Sequence, residues 1–111
     1  MKKGILFTAV IFSMITISFT ANAEVKKASF KVSGNCGMCE KTIETAANAV
    51  EGVVSADWNK ESKEMIVSFD TEKTNLDAVH KAIAKSGYDT DTVKADDKVY
   101  SGLNSCCKYR K

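Results

Sequence analysis

Apolar and polar residues alternate through Ala28, Ser29, Phe30, Lys31 and Val32. That period of two predicts a strand with Ala28, Phe30 and Val32 facing inward. Gly34 and Asn35 break the pattern and open a loop. From Cys39 onward the period changes: Ile43, Ala46, Ala47 and Val50 recur at helical spacing. Glu40 and Glu44 fall in the first turns, where carboxylates suit the helix dipole, and Gly52 supplies a stop. Residues 53–58 form a second strand, 59–62 a polar turn, and Met65, Val67 and Phe69 alternate in a third strand, so these two strands make a hairpin. Thr74, Asn75, Leu76 and Asp77 resemble a capping box, followed by an apolar stripe of Leu76, Val79, Ala82 and Ile83 that Gly87 ends. Residues 88–93 read as a weaker fourth strand. The order strand, helix, strand, strand, helix, strand predicts an α+β, ferredoxin-like βαββαβ sandwich. Two helices would cover one face of a four-stranded antiparallel sheet.

The first 23 residues stand apart. Lys2 and Lys3 precede an apolar run, and Ala21, Asn22 and Ala23 make a small-x-small cleavage site. This is the pattern of a secretory signal peptide. The run is short for a membrane span and is interrupted by Thr8, Ser13, Thr16 and Ser18. The expected organisation is a signal at 1–23, one domain at 24–94 and a cysteine-containing tail at 95–111. The location would be periplasmic or otherwise exported, with no stable membrane insertion after cleavage. Loss of Lys2 and Lys3 from the 16 basic residues brings them level with the 14 acidic ones. The mature chain is then near neutral, and no basic cluster with interleaved aromatics suggests nucleic acid.

Export places four cysteines in an oxidising compartment, where two disulfides are the default for a small protein. Their positions argue otherwise. Cys36 leaves the first strand and Cys39 lies in the first turn of the first helix. Unpaired backbone N–H groups and the positive end of the helix dipole favour thiolates there. Two soft sulfurs without a convergent imidazole or carboxylate suit Cu(I) or Hg(II) better than Zn(II), which wants four ligands.

The element order, the C-x-x-C at the first loop–helix junction, and Gly87-Tyr88 after the second helix resemble the heavy-metal-associated domain family. That family includes copper chaperones, the N-terminal domains of copper-transporting P-type ATPases and the periplasmic mercuric-ion-binding protein. The resemblance covers about residues 27–94, and the layout is most similar to the periplasmic mercury binder. It implies a metallochaperone or scavenger rather than an enzyme. Cys36 and Cys39 would be the metal ligands and Tyr88 the aromatic beside the metal loop. The partner would be a metal transporter, a P-type ATPase or another C-x-x-C carrier, reached by thiolate ligand exchange. A monomer is expected, with a metal-bridged dimer as the alternative.

Two departures stand out. Gly34 replaces the methionine that the family tucks under the loop, which predicts a less anchored, more mobile loop. Met38 sits between the cysteines, either exposed or as a thioether third ligand. The runner-up function is a small thiol–disulfide redox protein using the same C-x-x-C. The redox family places a cis-proline opposite its disulfide, and this chain has no proline. A zinc ribbon would need a second C-x-x-C, and a disulfide-stapled interaction module would leave no free thiols.

Cys106 and Cys107 lie outside the usual domain. From Lys94 to Cys106 is twelve residues, an extended reach of about 40 Å. Retracing a strand of about seven residues takes roughly 23 Å. The tail can therefore return along a sheet edge or across the open sheet face, packed by Val99, Tyr100 and Leu103. It would bring one or both cysteines to the first pair. The alternative is a mobile tail whose cysteines form a vicinal disulfide, pair between chains or bind metal separately. His80 is expected at the surface or boundary rather than as a ligand, Trp58 as strand-end packing, and Asp96 and Asp97 as a solvated patch. No nucleophile–base–orienter set or phosphate-cradling glycine loop is visible.

Overall fold

The computed structural model describes residues 24–110. The expected signal at 1–23 lies outside the described residues. Strand β1 spans Val25–Lys31, helix α1 Gly37–Asn48, β2 Val53–Trp58, β3 Glu64–Asp70 and helix α2 Leu76–Lys85. The strands form an antiparallel sheet in the order β1-β3-β2, with Phe30 opposite Met65 and Trp58 opposite the same residue from the other side. The hairpin turn is held by Asn59, whose side-chain oxygen accepts from the N–H groups of Glu61 and Ser62.

The period of two puts Phe30, Met65, Val67 and Phe69 on one sheet face, and Val32 follows just past β1. They pack with Ile43 and Ala47 of α1 and Val79 and Ile83 of α2 in a single core. Val54 and Ile66 remain exposed. Helix α2 is capped by Asn75, which accepts from the Ala78 N–H at 2.9 Å, one position later than the box expected at Thr74.

The expected fourth strand is a single bridge, Val32 to Thr90. Its polar side chains redirect the backbone. Thr90 donates its N–H to the Val93 carbonyl, and its hydroxyl accepts from the Val93 N–H at 2.9 Å. That turn reverses the chain where a strand would have carried it to the far end of the sheet.

The tail therefore takes neither expected path. A short helix α3, Asp97–Ser101, and a 3-10 turn, Ser105–Cys107, fold back over the corner where α2 ends. Leu103 covers Gly87, where an added Cβ would lie 2.8 Å from a leucine methyl. The Tyr109 ring stacks on Tyr88 at 5.8 Å and meets Tyr100 edge-on at 4.9 Å. The Tyr109 hydroxyl donates to the Gly87 carbonyl and accepts from the Asp89 N–H. Arg110 forks onto Asp89 and reaches Asp97 and the Ala95 carbonyl.

His80 corrects the surface expectation. It is 4% exposed. Its ring lies 4.0 Å from that of Phe30, and its Nδ1 is 2.7 Å from the Thr90 hydroxyl and 3.1 Å from that of Thr92. The turn that replaces the fourth strand is what covers it.

Candidate metal centre

Cys36 occupies the N-cap position of α1 with an extended backbone, and its carbonyl accepts the first helical hydrogen bond from Glu40. Cys39 follows one turn on and is fully buried. Their sulfurs are 3.5 Å apart. The backbone N–H of Cys39 is the largest influence on the Cys36 thiol and brings it down to about 7. Partial burial opposes this, and the Cys39 and Cys106 side chains add to it.

The loop before Cys36 is held, contrary to the mobile loop expected from Gly34. A Cβ on Gly34 would lie 2.9 Å from the Trp58 ring and 3.2 Å from an Ile43 methyl. The indole thus fills the space beneath the loop, and its Nε1 donates to the Val32 carbonyl at 3.0 Å. Lys63 donates to the Gly34 carbonyl and sits 5.7 Å from the centre of the Trp58 ring. Trp58 is packing, as expected, but its packing partner is the loop that carries Cys36.

The tail brings the second cysteine pair to the first. The Cys36 sulfur lies 3.7 Å from that of Cys106 and 3.9 Å from that of Cys107. The Cys106 and Cys107 sulfurs are 3.8 Å apart. These three sulfurs are mutually within 4.8 Å, and Cys39 lies outside that set while touching Cys36. Among the described residues, all four cysteines are free thiols. Polar contacts tie the tail to the loop and the start of α1: Asn35 donates to the Lys108 carbonyl at 3.1 Å, the Cys36 thiol to the Cys106 carbonyl at 3.7 Å, and Asn104 to the Met38 sulfur. Met38 is half-exposed and uses its thioether as an acceptor there.

Tyr88 is buried against the thiols. Burial, then contacts with Cys107 and Cys39, raise its hydroxyl far above the ordinary phenol range, so it stays protonated. Cys107 is 2% exposed, and burial pushes its thiol up to about 12 although Tyr88 works in the other direction. The site is thus graded, from an ionisable thiol at Cys36 to a buried, neutral one at Cys107. Asp96 and Asp97 serve the tail instead, Asp96 as the α3 cap and Asp97 as a partner of Arg110.

The roles of Trp58, Lys63 and Arg110 at this site were missed in the sequence. Each acts from a position remote in sequence from the group it holds. Tyr109-Arg110 just after Cys106-Cys107 was the available hint of a docked tail.

A small α+β fold here presents two soft sulfur ligands at a strand-to-helix junction. The chain belongs to the heavy-metal-associated domain family, which it matches over residues 29–89. It is 38% identical over 55 residues to the copper chaperone CopZ of Staphylococcus aureus, covering 50% of this chain and 81% of that relative. The solved CopZ metallochaperone superposes with a TM-score of 0.57 at 35% identity, over 59% of this chain and 98% of that one. Oxidized MerP from Ralstonia metallidurans CH34 gives 0.52 at 30% identity, over 60% and 96%. The water-soluble region of the P-type ATPase CopA from Bacillus subtilis gives 0.58 at 30% identity, over 63% and 47%. The family match ends at residue 89, so Cys106 and Cys107 lie beyond it.

Proposed function

We propose that this protein is an exported, non-enzymatic carrier of a thiophilic cation, Cu(I) or Hg(II), held by Cys36 and Cys39. It passes the ion to a P-type ATPase, another transporter or another C-x-x-C carrier. The observation that carries this reading is the C-x-x-C pair itself: two sulfurs 3.5 Å apart at a helix N-terminus, one with its thiol brought down to about 7. A thiolate at neutral pH is the form that binds a soft ion and exchanges it by stepwise replacement of one sulfur by another. The likeness to proteins named as copper chaperones and to a P-type ATPase region supports both cargo and partner. Likeness to MerP keeps Hg(II) in the reading. Export rests on the apolar start and the Ala21-Asn22-Ala23 site.

A competition titration of the reduced chain with Cu(I), Hg(II) and Zn(II), beside the double variant C36S/C39S, tests it. The expected result is tight 1:1 binding of Cu(I) or Hg(II), weak zinc binding, and loss of both soft ions in the double variant. No soft-metal binding together with strong disulfide reductase activity would replace this reading by the redox one.

A further inference from the structure

We infer that the protein has two overlapping soft-metal sites that share Cys36: a transfer site, Cys36/Cys39, and a three-sulfur holding site, Cys36/Cys106/Cys107, supplied by the tail. This rests on the reading of the protein as a carrier of Cu(I) or a similar cation, and adds to it a state in which the ion is retained.

The sulfur spacing carries the argument. An ion about 2.3 Å from each of three sulfurs in one plane sets them about 4.0 Å apart. The three observed separations are 3.7, 3.9 and 3.8 Å. They form a nearly equilateral triangle of that size. An ion bound linearly between two sulfurs at the same bond length would need about 4.6 Å between them. Cys36 and Cys39 are 3.5 Å apart, so that pair must open to take an ion end-on, whereas the triangle need barely move. A four-sulfur tetrahedron, the preference of zinc, would require Cys39 to be near both tail sulfurs; it contacts Cys107 but lies outside the mutual set.

The triangle is built rather than incidental. The Tyr109 hydroxyl fixes the tail to Gly87 and Asp89, Arg110 fixes it to Asp89 and Asp97, and Asn35 and Asn104 tie it to the metal loop itself. Leu103 and Cys107 join the hydrophobic core. Cys106 is exposed, so one corner of the triangle faces solvent, where a partner thiolate can approach.

Movement between the sites is ligand exchange with no change in oxidation state. The ion keeps Cys36. A metal–sulfur bond to Cys39 forms as those to the tail break, the Cys39 proton leaves, and the released tail thiolates take up protons from solvent. Retention by three sulfurs and delivery through two separate storage from transfer on one chain.

The test is Cu(I) loading of the reduced protein under anaerobic conditions. Sulfur coordination is read by X-ray absorption, and affinity by competition with a colorimetric Cu(I) chelator. Wild type should show three sulfurs. Cys106→Ser, at an exposed position outside the core, should show two and bind at least tenfold more weakly. Cys39→Ser should keep three sulfurs yet transfer Cu(I) more slowly to a C-x-x-C acceptor. Two sulfurs in wild type, or a Cys106→Ser protein with unchanged coordination and affinity, would overturn the holding site and leave the C-x-x-C reading standing. No Cu(I) binding by wild type would overturn the holding site, and binding of neither Cu(I) nor Hg(II) would overturn the carrier reading as well.

Discussion

The indole of Trp58 lies directly beneath Gly34, so close that a Cβ there would sit 2.9 Å from the ring. The loop that presents Cys36 is therefore supported from the end of β2 rather than by a side chain of its own. Gly34→Ala should destabilise the protein by about 1–3 kcal/mol, because the added methyl overpacks a site closed by Trp58 and Ile43. Pairing Gly34→Met with Trp58→Val should recover part of that loss, since a long side chain then refills the space. Urea unfolding of Gly34→Ala measures the first, and that of Gly34→Met, Trp58→Val and their combination measures the second. Additive losses in the combination would show that the two residues do not share one space.

His80 makes the fold sensitive to mild acid. Burial lowers its pKa below the usual 6.5, although Asp91 and Asp77 pull the other way. A folded value below the unfolded one means the unfolded chain binds the proton more readily. The stabilising contribution is full above about 6.5 and is lost as pH falls toward the depressed folded value. The slope is at most about 1.4 kcal/mol per pH unit. His80→Phe preserves the contact with the Phe30 ring and removes this titration, so its urea midpoint should fall less between pH 7 and 5 than that of wild type.

The three strands and two helices were legible because each carries a periodic apolar face over a run of residues. The C-x-x-C was legible from spacing and from its place at the strand–helix junction. Residues 88–93 misled because Thr90 can satisfy its neighbours' backbone groups itself, which no alternation pattern registers. Reach alone allowed the tail to return to the metal loop but left its path open. The path follows from the turn at Thr90 and from Tyr109 and Arg110, whose partners Gly87 and Asp89 lie some twenty residues earlier. Gly34 misled for a related reason. The residue that replaces the missing methionine, Trp58, comes from another strand, so the sequence around Gly34 looks unsupported.

The thiols should label in a fixed order in the metal-free, reduced protein. Iodoacetamide reacts with the thiolate, and Cys36 ionises at about 7, so its rate should rise steeply from pH 5 to 8. Cys107, raised to about 12 and buried, should stay unmodified through pH 9. The same ordering has a consequence for stability. Because the folded Cys36 value lies below the unmodified 9.0, its ionisation favours the folded state above that pH. The contribution disappears as pH falls through about 7. Peptide mapping by mass spectrometry reads the order, and early labelling of Cys107 would contradict the buried placement.

Tyr109 should control how often the tail opens. Its hydroxyl both donates to the Gly87 carbonyl at 2.7 Å and accepts from the Asp89 N–H at 2.9 Å. Tyr109→Phe keeps the stacking on Tyr88 but leaves two backbone groups without that partner, a cost of about 1–3 kcal/mol. These contacts join the tail to one corner, so the cost should fall on tail docking and leave the three-stranded sheet intact. At about 1.4 kcal/mol per factor of ten, the open population should rise roughly five- to hundredfold. Labelling of Cys107 at fixed pH should accelerate by that factor, while hydrogen exchange of the Val67 and Phe69 amides in β3 stays unchanged. Acid should loosen the same clasp. Burial raises the Asp89 carboxyl, but Arg110, the Ala95 N–H and Lys94 together outweigh it and hold the pKa below the usual 3.8. The ion pair is therefore intact above that value and lost as pH falls through the lower folded one. Faster Cys107 labelling with unchanged strand protection would establish the tail as a separately opening unit. Faster exchange throughout would instead make it part of the global fold.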